Sequence, residues 1–219
     1  VKLWENREEA IHALEKVLYK ENQIINSLFE LFDNVIESYM MNTPFLRVTG
    51  LITIKIRSLC HSILSLSLDG HAQESGALLR TAIEACESLI YLRQEPTRVN
   101  KFLDDKKPQA GKIAKAIQGQ FKEVRDYLNN HSSHFGFKPD SLMHFLQFTD
   151  DEEIILKEPS FKTEILRKNL GTLAVFMLKA LFESIACLKQ NDIFISKSHD
   201  KLIFLHKKSK QYFRMKHSR

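Results

Sequence analysis

The sequence predicts an all-α protein, a helical bundle of five to six long helices with one short irregular or two-stranded excursion. Three observations carry this. Apolar residues recur at steps of three, four and seven along most of the 219 residues. The five prolines, with Gly70 and Gly136, fall between the periodic stretches, where they act as stops. Strand-like alternation is nearly absent, and there is no internal repeat.

The first stripe is Trp4, Ile11, Leu14, Leu18, Ile25, Leu28, Phe32, Ile36 and Tyr39. It predicts helix over residues 4–41, interrupted near Glu21 and Asn22 and ended by Asn42, Thr43 and Pro44. A second helix, 46–68, carries Leu51, Ile52, Ile54, Ile56, Leu59 and Ile63 on nearly every side, so it is expected at the centre of the fold. Asp69 and Gly70 make a turn. A third helix covers 72–95 and stops before Pro96, because the residue preceding a proline is pushed out of the α region. A short helix is expected over 98–104. A longer one, 109–131, turns Ile113, Ile117, Phe121, Val124 and Leu128 one way.

Residues 132–160 hold the excursion, with LMHFLQF and EIILKEP as its two strand candidates. A long helix over 161–189 is expected to bury Leu166, Leu170, Leu173, Val175, Phe176, Leu178, Leu181, Phe182 and Ile185. The domain reading is one helical bundle over 1–196 and a basic amphipathic helix or tail over 197–219. Several stripes are wider than one core face requires, which points to self-association.

Composition narrows the classes. With 43% hydrophobic and 27% charged residues, the chain reads as soluble and globular. The longest uncharged run in the 161–189 helix is ten residues, 169–178. A membrane crossing needs about twenty mostly apolar residues, so no membrane span is expected. The opening VKLWENREEA lacks the apolar core of a secretory signal. Cys60, Cys86 and Cys187 are odd in number and sit in apolar helical contexts, as free thiols in a reducing, cytoplasmic setting would. The last 23 residues place eight Lys or Arg against Asp200, a net +7, so the rest of this +5 chain carries −2. A basic end of that kind suits a polyanion or a solvated helix alike.

Several chemistries lack their residues. Gly111 and Lys112 have no upstream glycine spacing for a phosphate loop, and no dinucleotide fingerprint occurs. Only Glu9 and His12 have the spacing of a di-iron bundle, and no zinc-finger spacing exists, so no cofactor is expected. His131 and His134, with His144 nearby, would need a folded-back loop to hold a metal.

Two segments remain. In GALLRTAIEACESLIYLR, residues 76–93, Arg80 and Glu84 stand four apart and Glu87 continues their line between apolar flanks. They read either as a polar latch along one helix or as a support for another helix's Arg or His. In VRDYLNNHSSHFGF, residues 124–137, His131 continues the Phe121, Val124, Leu128 stripe and Arg125 lies six residues before it. An imidazole moves protons near neutral pH, and a guanidinium holds a phosphate with a fork of donors. Together they suit metal-free attack of a 2′-hydroxyl on its phosphodiester. A satisfied core histidine, with Arg125 paired to Glu84, Glu123 or Asp126, is the plainer reading of the same residues.

The run Arg125, Asp126, Tyr127, Leu128, Asn129, Asn130, His131 resembles the motif of the HEPN superfamily: an arginine, a polar residue, then a histidine near a helix end. LLRTAIEACESLIYL resembles a helix that precedes the histidine-bearing one in bacterial HEPN-like proteins. The resemblance covers residues 70–135. It implies an all-α homodimer whose two Arg–His pairs share a cleft, often with metal-independent RNA cleavage of toxin or antiviral-defence type. Arg125 and His131 would be the catalytic pair, with Asp126 beside them and His134, Arg80 and Glu84 in support. Lys207, Lys208, Lys210 and Arg214, with Phe204, Tyr212 and Phe213 between them, would hold the RNA. A protein regulator fits the same reading. The alternative is a non-catalytic interaction or scaffold protein forming a homodimer. A membrane-surface role for KLIFLHKKSKQYF is a third possibility.

Overall fold

The computed structural model describes residues 4–129, 146–148, 154–156 and 162–213. The chain is all-α, with one small strand pair. Helix α1 (Glu5–Lys16) leads into α2 (Tyr19–Glu37) through a break at Val17 and Leu18, earlier than Glu21 and Asn22. Leu18 drops into the core at the break while Val17 faces water. Glu21 lies within α2, where Arg167 pairs with it at 3.2 Å.

Helix α3 (Pro44–Leu68) starts as its sequence demands. Thr43 Oγ1 accepts from Leu46 N at 3.2 Å, and Pro44 occupies the first turn, where no N–H is missed. It ends at Asp69 and Gly70, whose φ of +83° favours glycine. Arg7 of α1 forks onto the Asp69 carboxylate at 2.6 Å through both Nε and Nη2, and so staples the chain start to this turn. Helix α4 (Ala72–Gln94) closes with Glu95 in extended backbone before Pro96. A single 3-10 turn (Pro96–Arg98) and the short α5 (Val99–Leu103) follow.

The helix expected over 109–131 is broken. Helices α6 (Ala110–Ala116) and α7 (Lys122–Leu128) are separated by Gln118 and Gly119, both left-handed at φ +61° and +63°. The apolar period runs through the break because Ile117 and Leu128 both still point inward. Val124 does not: it faces solvent, so the stripe leading to His131 is interrupted. Strands Leu146–Phe148 and Ile154–Leu156 pair antiparallel, Gln147 opposite Ile155. Helices α8 (Thr163–Lys189) and α9 (Ser196–Tyr212) complete the fold.

The central helix is α8, not α3. It packs on α2, α3, α4 and α9, and Leu170, Met177, Leu181 and Leu188 are enclosed. One side of α3 is open at Leu51 and Ile54. Each fully buried Leu, Ile or Phe of this core contributes about 1.5–3 kcal/mol relative to exposure. Val175 and Phe182 depart from expectation by facing solvent on α8. Both α3 and α8 are long and apolar enough to cross a membrane by length and composition, and here they pack on each other. Helix α9 sends Leu202 and Leu205 into the same core as the rest of the chain. The three cysteines are buried and unpaired, and burial lifts their thiols far from reactive thiolate, that of Cys187 to about 12.

Candidate functional site

Residues 80, 84 and 87 share one face of α4 by their spacing of four and three. At Glu87 that face borders the core between Cys86, Ser88 and Leu89, and its carboxylate is only 1% exposed. A carboxylate there requires a cation. The cation comes from 38 residues further along the chain. Helix α7 anchors on α4 through buried Leu128, and Arg125, one turn earlier, reaches inward with 14% of its side chain exposed. Its Nη1 donates to both Glu87 oxygens, at 3.1 and 3.3 Å. Its Nη2 lies 3.8 Å from Glu84 Oε1, and Arg80 Nη2 approaches that same oxygen at 3.5 Å.

Two guanidiniums and two carboxylates therefore alternate across the α4–α7 contact with no net charge. Glu84 stands between both cations, and among the described residues Glu87 depends on Arg125 alone. Burial pushes the Glu87 carboxyl above its usual range, Arg125 opposes this, and the Glu84 charge adds to it. Arg80 Nε and Asn129 Oδ1 are buried with no hydrogen-bond partner among the described residues. A cavity of about 750 Å³ lies beside the motif, between α4, α7 and α8, with Tyr127, Leu128, Leu79 and Lys168 on its walls. Arg125 does not line it.

Of the residues singled out from sequence, the fold brings Arg80, Glu84 and Arg125 together. Asp126 is one step round α7 from Arg125 and lies exposed. His131, His134, His144 and Arg214 fall outside the described residues. Lys207 and Lys210 are exposed on α9, while Lys208 is half-buried. Phe213 does not stand among the lysines as a stacking ring: it packs against Gly171 of α8, 3.3 Å from where a Cβ there would be. Glu87 is the residue whose importance the sequence reading understated. Its signal was a carboxylate set inside the otherwise uncharged run ACESLIYL.

A second buried carboxylate was missed altogether. Glu183 of α8 takes Lys179 Nζ at 2.7 Å and Arg93 Nε of α4 at 2.8 Å. Among the described residues, no three His, Cys, Asp or Glu gather as a metal site.

Residues 47–174, more than half the chain, match the model of a family of unknown function. The chain belongs to that family, DUF5677. The DUF5677 span takes in all but the first turn of α3, α4 to α7 and the first part of α8, hence the whole Arg80, Glu84, Glu87, Arg125 cluster. Glu183, α1, α2 and α9 lie outside it. No curated protein and no solved structure matches the chain.

Proposed function

We propose that this DUF5677 protein is a HEPN-like endoribonuclease, a homodimer of toxin or antiviral-defence type that cleaves RNA without a metal. One observation carries the reading. The two segments that resemble that superfamily, LLRTAIEACESLIYL and RDYLNNH, meet in space through the Arg125 contacts to Glu87 and Glu84.

In this reading His131 takes the proton of a 2′-hydroxyl as its oxygen attacks the adjacent phosphorus. A cyclic phosphate forms, the bond to the 5′-oxygen breaks, and that oxygen receives a proton from the imidazolium. Arg125 keeps Nη1 on Glu87, which holds the guanidinium plane in place. Nη2, whose contact to Glu84 is longer than a hydrogen bond, turns to a phosphoryl oxygen while Arg80 retains Glu84.

The test is cleavage of mixed RNA in chelator by the parent protein and by His131→Ala. General acid–base catalysis contributes about 10²- to 10⁴-fold, so the variant should lose about that much rate with its thermal stability unchanged. Equal cleavage by both proteins, or none by either, removes the proposal.

A second reading is favoured by the 14% exposure of Arg125 and its bond to a carboxylate that is 1% exposed. Here the cluster is a clasp fixing α7 on α4 in a non-catalytic interaction or scaffold protein, which forms a homodimer through surplus apolar surface such as Val175 and Phe182. Arg125→Ala would then destabilise the protein and leave RNA untouched before and after.

A further inference from the structure

We infer that the groove between α2 and α9 is a binding site for single-stranded RNA, holding bases on exposed rings and phosphates on two ammonium groups. In choosing RNA as occupant this rests on the reading above; the groove itself stands on separate observations. It is a cavity of about 440 Å³, and Tyr19, Lys20, Gln23, Phe204, Lys208 and Tyr212 define its chemistry. None of these lies in the span matched by the family model.

The rings are unusually open for their size. Tyr19 and Phe204 each leave more than half their surface to water. The cations are arranged with the rings. Lys20 Nζ sits 5.2 Å from the centroid of Tyr212, and Lys208 Nζ sits 5.7 and 5.8 Å from those of Phe204 and Tyr212. Neither ammonium has a carboxylate within ion-pair distance among the described residues.

The acids of α2 do not oppose an anion there. Glu21 is taken by Arg167, Asp33 by Arg57, and Glu30, at the groove edge, by Lys201 at 3.0 Å, while Glu37 does not line the groove. Lys207 and Lys210 remain exposed on the same helix, so α9 carries five lysines against Asp200. The Gln23 amide, which donates to the Tyr19 hydroxyl at 2.7 Å, adds a polar group that a base edge can engage.

Rings interleaved with unpaired cations along a concave wall are what a single strand needs: π-faces for unstacked bases and positive charge for the backbone. A duplex hides its base faces and gains nothing from the rings. A membrane surface is served worse. It requires a continuous apolar face to insert, whereas α9 buries Leu202 and Leu205 in the core and leaves only Ile203 and Phe204 as exposed apolar residues beside its lysines.

Binding of the full chain to a short fluorescent 2′-O-methyl oligouridine tests this, because that strand has no 2′-hydroxyl to attack. Loss or absence of cleavage therefore leaves the measurement intact, and failure here leaves the His131 test intact. Tyr19→Ala and Phe204→Ala, at exposed positions that folding tolerates, should each weaken binding by about fivefold or more, the lower end of stacking energies. Lys20→Ala with Lys208→Ala should lower the slope of log affinity against log salt by about 1.4, near 0.7 per phosphate contact. The proposal is overturned if the parent does not bind, or if the ring variants bind as tightly as the parent. It is also overturned if duplex RNA of equal length shows the same sensitivity to the rings. Phosphatidylserine vesicles in place of the strand decide between polyanions: loss of vesicle binding in the ring variants with strand binding unchanged overturns it too.

Discussion

Glu87 and Glu183 are the same residue type, each 1% exposed at the side chain, on neighbouring helices of one core. Their surroundings differ. Glu183 has two short contacts, one on each oxygen: Lys179 on its own helix and Arg93 on α4. Both cations keep about a third of their side chains in water, 36% and 32%. Glu87 has one enclosed guanidinium at longer distance, supplied by a seven-residue helix, and its carboxyl is pushed up by burial. A buried charge is tolerated in proportion to how many close donors it has and whether one can be lost. Among the described residues Glu183 has a spare donor and Glu87 has none, which makes the α4–α7 contact the weaker of these two seams.

The largest expected effect follows from that difference. Arg125→Ala strands Glu87 and should cost about 3–5 kcal/mol, the range for breaking a buried pair from one side. Arg93→Ala leaves Lys179 on Glu183 and should cost about 1.5–3 kcal/mol, a charged hydrogen bond. Urea unfolding of the two variants reads the comparison directly, and a larger loss at Arg93 would reverse it.

The pH profile sharpens it further. The folded-state pKa of Glu87 is raised, so between the ordinary carboxylate range and that raised value the folded protein keeps a proton that the unfolded chain has released. Its contribution to stability is therefore greatest at low pH and falls as pH rises through this window. Glu87→Gln, which cannot ionise, should show a shallower decline from mildly acidic to neutral pH than the parent. Superimposable profiles would mean that Arg125 already compensates the charge in full. The smallest effect belongs to Glu84→Gln. Glu84 is 30% exposed and among the described residues makes only long contacts, at 3.5 and 3.8 Å, so thermal unfolding should register about 0–1 kcal/mol.

Much of the architecture was legible along the chain. Thr43 and Pro44, Gly70, and Pro96 stop or start helices through their own backbone chemistry, and α3, α4, α8 and α9 begin and end within a few residues of where their signals stand. The 109–131 stretch was misread because period alone cannot report that Gln118 turns left-handed. Val175 and Phe182 were expected inside because apolar character does not say which part of a wide stripe meets a neighbour. At the site, Arg80, Glu84 and Arg125 were each visible as residues, but the bond that organises them was not.

The sequence by itself determined that this protein is helical and where most of its helices begin and stop, because period, caps and breakers act over a few neighbouring residues. Only the tertiary structure decided that Arg125 belongs to Glu87, that Glu183 is doubly held, and that Lys20 faces Tyr212 across a groove. Apart from Lys179, four residues before Glu183 on its own helix, those pairings join residues from 38 to 192 positions apart. The carboxylate pairs form because charges removed from water must find partners among whatever packing brings near, and no local pattern encodes which distant residue that will be.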